Sequence, residues 1–356
     1  MKLLIRTYFF LILTLFSCDV EKHNECTDLT NLLLLDSAEV IYEYQDKYPI
    51  SLAKQDSLLY VINIKSDTCM SVINLNTQEE LCSFGSVGHG DKDLLNPNFI
   101  LSINSNKLLL DVGNLRRIVD VDYRGKDSIV MSDMEYPDLI FMASELNISD
   151  KYIVGRKVDA YDDNMFFIYD RSKKEINTVP CYPDLHYSVL DYNYTYASVL
   201  ALNEEKGRIV SGMYFFDMFH LYDLSGSRLK TIKFSDDCYP HIDRESGRID
   251  FSKGYNGVIR AYATSKSCYL LRMIMNDLKE APQYMLIRMD WEGEVQQCFM
   301  LKNNVSGQFC VDEENNKVYI IENHIDGDGE EIFSIMSYNL KRDYNETQNG
   351  SEKYKG

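Results

Sequence analysis

Along this chain, short runs of alternating apolar and polar residues end repeatedly in a polar turn opened by Asp or Asn. The six openings are Asn74, Asp122, Asp170, Asp223, Asp290 and Asn339, at intervals of 48, 48, 53, 67 and 49 residues. A period near 50 residues is that of a small antiparallel sheet repeated around an axis. The pattern therefore predicts an all-β, six-bladed β-propeller with four-stranded antiparallel blades. Residues just before the anchors (Ile73, Val121, Tyr169, Tyr222, Met289, Tyr338) are aliphatic or aromatic, whereas two positions back (Val72, Asp120, Ile168, Leu221, Arg288, Ser337) polarity is mixed. Alternation of this kind predicts an anchor strand with one better-buried face. In three repeats the turn reads Asp-x-x-Gly (122–125, 223–226, 290–293), as a type I turn favours. Turn chemistry accounts for these acids without a catalytic role.

Each repeat reads as strand A, a turn, strand B, a loop, anchor strand C, the Asp turn and strand D. The sixth repeat stops short, because 341–356 is polar and carries no strand pattern. An otherwise unpaired strand lies at the other end, at 38–44 (Ala-Glu-Val-Ile-Tyr-Glu-Tyr). It is expected to complete blade six and close the ring, removing an open edge that would template aggregation.

The first residues read as a targeting signal. Lys2 and Arg6 precede a largely apolar run over 8–16 that closes on Leu15-Phe16-Ser17-Cys18. Residues 1–17 are expected to be a lipoprotein signal peptide, with Cys18 as the lipid-modified residue. The expected division is then a lipid-anchored tether over 18–36, the propeller over 37–340 and a polar tail over 341–356. The anchor places the protein in the cell envelope, periplasmic or at the outer membrane. The formal net charge is −18, and loss of the signal makes it two units more negative. Such a surface repels phosphate backbones and argues against nucleic acid as a partner.

Eight cysteines besides Cys18 invite a disulfide framework. Cys69, Cys82, Cys268, Cys298 and Cys310 fall inside expected strands, where cysteine behaves as a small apolar residue. The chain has no CxxC, HExxH or GxSxG, and nothing in the pattern calls for a cofactor. Asp326, Asp328 and Glu330 alternate with glycines as a calcium loop opens, but the glycine and glutamate required further on are replaced by Glu331 and Ser337. An acidic hairpin turn is favoured there over a metal site.

The long connections (86–98, 133–139, 182–195, 235–256, 275–283 and 324–331) are expected on one face around the channel, where function on a rigid scaffold sits. Tyr136-Pro137-Asp138-Leu139 and Tyr182-Pro183-Asp184-Leu185 match, and Tyr239-Pro240-His241-Ile242 is a looser copy. Recurrence at equivalent positions favours a packing role, with sugar stacking as the alternative. Candidate ligand-binding residues are Tyr182, His186, Tyr187, Tyr239, His241 and Asp93.

In the first repeat, 85–93 reads Gly-Ser-Val-Gly-His-Gly-Asp-Lys-Asp, with Asn96-Pro97 beyond. Behind a lipoprotein signal and with six degenerate repeats, this resembles the TolB-like six-bladed propeller lipoproteins. Asp91, Asp93 and Leu94 stand where that family often has Pro, Glu and Phe. The resemblance spans about 38–340 by repeat count and implies an envelope binding or scaffold protein with no catalytic set to transfer. Function is thus expected to be recognition of a peptide, a glycan or an envelope protein. The competing reading is a propeller lyase or hydrolase with its site at the channel mouth.

Overall fold

The computed structural model describes residues 24–26, 29, 32–35, 37–88, 90, 93–100, 103, 107–125, 128–141, 143–157, 163–183, 185, 189–275, 281–301, 305–325, 327 and 329–341. They form a six-bladed β-propeller of four-stranded antiparallel blades. Strands A to D of blade one are Tyr48–Gln55, Leu58–Ile64, Thr68–Asn74 and Glu79–Ser86. Blade two uses Asn98–Ile100, Leu108–Val112, Arg117–Tyr123 and Ile129–Met134, and blade three Ala143–Ile148, Tyr152–Lys157, Asn164–Asp170 and Glu175–Pro180. Blade four has Ser198–Asn203, Arg208–Met213, Met218–Tyr222 and Arg228–Lys233, and blade five Tyr255–Ala263, Cys268–Met275, Gln283–Met289 and Val295–Leu301.

Blade six takes three strands from the C-terminal side, Val305–Asp312, Lys317–Ile325 and Glu331–Asn339. Its fourth is the N-terminal strand Ala38–Tyr44, antiparallel to Glu331–Asn339 from Tyr338↔Ala38 to Phe333↔Tyr44. The ring therefore closes as the short sixth repeat required. Residues 18–36 are expected to serve as a tether, and the structure uses two pieces of that segment in the sheets. Strand β1 (Asn24–Cys26) adds parallel to strand D of blade four, and β2 (Leu32–Leu35) adds parallel to strand D of blade five.

Five of the six anchors cap their turns as expected. Asn74, Asp170, Asp223, Asp290 and Asn339 each accept a backbone N–H two residues on at 2.8–3.0 Å. Asp122 departs, taking the Arg124 guanidinium instead at 2.8 Å. Gly226 and Gly293 close their turns at φ +82° and +86°, which a side chain would strain.

One sequence expectation needs correction. In blades one and four strand C is buried on both faces: Met218–Tyr222 is wholly buried, and in blade one Met70 and Val72 face blade two while Ile73 faces blade six. In blades two and five Asp120 and Arg288 leave one face half-buried, as expected. Blades stack face to face around the axis, so each central strand has a neighbour on either side. Clear alternation survives in outer strands such as Ile129–Met134, whose residues beside the edge meet solvent. Cys69, Cys238, Cys268, Cys298 and Cys310 are buried free thiols.

Candidate functional site

Four of the six innermost strands carry a bulge or register shift near the same end of the channel. They lie between Pro49 and Ser51, Ser144 and Asn147, Val258 and Arg260, and Val305 and Phe309. A bulge adds a residue that the partner strand does not match and re-aims its side chain. Ser51, Ser144, Glu145, Arg260 and Gln308 all lie at these irregularities, and together with Asp111 they line a cavity of about 180 Å³. Glu145, inside the irregularity between Ser144 and Asn147, holds φ +53°. The loops between blades open on this same end.

Asp111 comes from strand B of blade two. It is 8% exposed, and its Oδ1 has no hydrogen-bond partner among the described residues. Burial pushes its carboxyl up to about 6. Across the same cavity the Nε of Arg260 is also buried without an acceptor. Glu145, Arg260 and Arg156 are electrostatic neighbours of Tyr214, and Glu145 also of Arg156. The Tyr214 hydroxyl is raised by burial and by Glu145, and Arg260 and Arg156 oppose that shift. Arg156 is fixed by the short helix α1 (Tyr192–Thr195), donating from Nη2 to the Asn193 carbonyl at 2.7 Å and to Asn193 Oδ1 at 2.9 Å. Burial lowers the Arg156 guanidinium, and its Nε too is unpartnered.

A second cavity, of about 150 Å³, lies in the insertion between blades four and five, which carries the hairpin Ile242–Asp243/Arg248–Ile249. Asp237, Tyr239, His241, Lys253 and Asn256 are among its lining residues. Its floor is a buried ion pair: Arg272 Nε and Nη2 each donate to Asp217 carboxylate oxygens at 2.6 Å. Asp217 also accepts from Ser235 Oγ at 2.7 Å, and its backbone binds Cys238 and Phe234, so the insertion is pinned to strand B of blade five.

The sequence candidates do not converge. Tyr239 and His241 share the insertion cavity. Tyr182 is packed in the seam of blades three and four, with the Arg228 guanidinium 3.1 Å from its ring centroid and His220 edge-on at 5.3 Å. His220 is wholly buried, bonds Thr231 Oγ1 through Nδ1 at 3.0 Å, and is held neutral by a value pushed down to about 3 by burial and then by Arg228. Asp93 ties its own loop together, accepting from Ser86 Oγ at 2.7 Å and Gly90 N–H at 2.8 Å, while its carbonyl takes Arg117 Nη1 at 3.1 Å. A Cβ at Gly88 would fall 2.3 Å from the Asp93 carboxylate, so that glycine serves a close approach. His186, Tyr187, Asp326, Asp328 and Cys18 lie outside the described residues, and Glu330 is exposed. Among the described residues no three His, Cys, Asp or Glu side chains gather as a metal would need.

Asp111, Glu145, Arg156 and Arg260 were not among the sequence candidates. Asp111 had a visible signal, an acid inside the apolar run Leu108-Leu109-Leu110-Asp111-Val112. Bulges, by contrast, leave no mark that one sequence shows.

No family model matches the chain, and no curated protein matches it. Solved structures do. A member of the DUF4221 family from Bacteroides vulgatus superposes with a TM-score of 0.56 at 14% identity, over 85% of this chain and 95% of that one. U3-55K gives 0.47 at 10% identity over 84% and 98%. A catalytically inactive virginiamycin B lyase from Staphylococcus aureus, with quinupristin, gives 0.41 at 10% identity over 85% and 88%. The first of these likenesses shows a shared propeller fold, and no function comes with it.

Proposed function

We propose that this propeller is a cell-envelope recognition module of the TolB-like kind, binding its ligand at the channel mouth on the loop-rich face. The observation that carries the reading is the pair of buried, unmated groups, Asp111 Oδ1 and Arg260 Nε, in one cavity shaped by bulged strands. Buried polar groups without partners are costly, and a bound ligand is one way to satisfy them. Lipidation at Cys18 would fit the geometry. β1 runs toward the loop-rich end, with Asn24 opposite Thr231 and Cys26 opposite Lys233. Cys18 lies within about 20 Å of chain from Asn24, a reach that would let a lipid at Cys18 hold the propeller at a membrane surface.

The test is a thermal-shift panel of small peptides, amino acids and sugars on the purified protein. At least one should raise the melting temperature, and Asp111→Asn with Arg260→Gln should abolish that rise. If every shift survives both substitutions but is lost in Tyr239→Ala, the ligand belongs to the insertion cavity and the channel reading falls.

The buried acid has its own stability signature. Its folded value near 6 exceeds the unfolded value of about 3.9, so the folded protein holds this proton more tightly. The penalty is absent below about pH 4, grows as pH rises through the window to 6, and is complete above it. Two units correspond to about 3 kcal/mol. Asp111→Asn is therefore expected to gain about 2–3 kcal/mol in urea unfolding at about pH 7.5 and nothing near pH 4. Equal gains at both pH values would mean a well-solvated carboxylate.

A further inference from the structure

Resting on the channel-mouth reading, we infer that the ligand is a small zwitterion carrying an ammonium and a carboxylate, the chemistry of a free α-amino acid. Two opposite demands meet in one cavity. Asp111 Oδ1 needs a donor and Arg260 Nε needs an acceptor, and no described side chain supplies either. An ammonium on Asp111, with a carboxylate on Arg260, satisfies both through charge-assisted hydrogen bonds.

Other classes leave one demand unmet. A simple amine would leave the Arg260 Nε buried and bare, and a simple carboxylate would leave Asp111 so. An anion is also repelled by the overall charge of −18. A sugar could hydrogen-bond both groups, but it would leave the buried charge of Asp111 uncompensated and would find little to stack on. Among the described lining residues Phe99 alone is aromatic, and it is itself buried at 7% exposure. The tyrosines suited to stacking lie elsewhere, Tyr182 in a blade seam and Tyr239 in the insertion. The volume of about 180 Å³ is below the 300–1,000 Å³ of drug-sized sites, which limits the ligand to a few heavy atoms beyond the two charged ends.

Calorimetric titration of the purified protein with each of the common L-amino acids, butylamine, butyrate, glucose and N-acetylglucosamine tests this directly. At least one amino acid should bind with a dissociation constant under about 1 mM, and the amine and carboxylate should each bind at least about tenfold more weakly. Asp111→Asn and Arg260→Gln, each confirmed by its melting curve to be folded, should each weaken the amino acid about tenfold or more. If either variant fails to fold, Asp111→Glu and Arg260→Lys, which keep charge but move it, should show the same weakening. Butylamine or a sugar binding as tightly as any amino acid, with loss in both variants, would overturn the zwitterion while leaving the channel reading intact. Saturable binding of none of these probes up to about 10 mM, or amino-acid binding indifferent to both substitutions, would overturn both.

Discussion

Deleting residues 38–44 is expected to drive the protein into aggregates. The strand contributes Ile41 and Tyr44, 5% and 3% exposed, to the seam of blades six and one. Burying side chains of that size stabilises by about 1.5–3 kcal/mol each, a large part of a typical margin of about 5–15 kcal/mol. The deletion would also strip the partner from Glu331–Asn339, whose Phe333, Ile335 and Tyr338 are buried. A long apolar edge without a partner pairs with other chains. Size-exclusion chromatography with light scattering, alongside urea unfolding, measures the outcome. A monomer of wild-type stability would show that the ring does not depend on this strand.

Replacing Asp217 by alanine is expected to lower stability by about 3–5 kcal/mol, the usual result of stranding one member of a buried ion pair. The side chains of Asp217 and Arg272 are 2% and 7% exposed, and the contact is bidentate. The arginine left behind has the Phe234 ring 5.3 Å away, and among the described residues no second acid forms an ion pair with it. Arg272→Met in the same chain should recover most of the loss, since apolar replacement of a whole buried pair is often neutral. Urea midpoints of the two variants decide the matter. A loss under about 1 kcal/mol for Asp217→Ala would mean that the pair is hydrated and that the insertion is not pinned by it.

The architecture was legible because it is written in periodic, local chemistry. Asp223-Leu224-Ser225-Gly226 makes its turn whatever surrounds it, and the missing outer strand of the sixth repeat pointed directly to 38–44. The added strands β1 and β2 were not legible, because parallel pairing to an outer edge needs no signature beyond a short extended stretch. Burial of strand C on both faces in blades one and four was not legible either. Its apolar positions were visible, but the second neighbour that covers them exists only once the blades stand in a ring.

The candidate site divided along the same line. Tyr182 and Tyr239 share a motif and were read together, yet one packs against Arg228 in a seam and the other borders the insertion cavity. Asp93 sits in the glycine-rich stretch that drew notice, and the structure uses it to fold that stretch upon itself. The two cavity-lining residues with unmet bonding capacity, Asp111 and Arg260, are 149 positions apart. Nothing local in the chain connects them.

By itself, then, the sequence determined six repeats, their turn chemistry and the strand that closes them, since each is set by neighbours within a few residues or by a regular spacing. Tertiary structure alone decided which polar groups meet without partners. That outcome depends on ring closure, on where four inner strands bulge and on what each bulge turns toward the axis, and these are properties of the assembled blades.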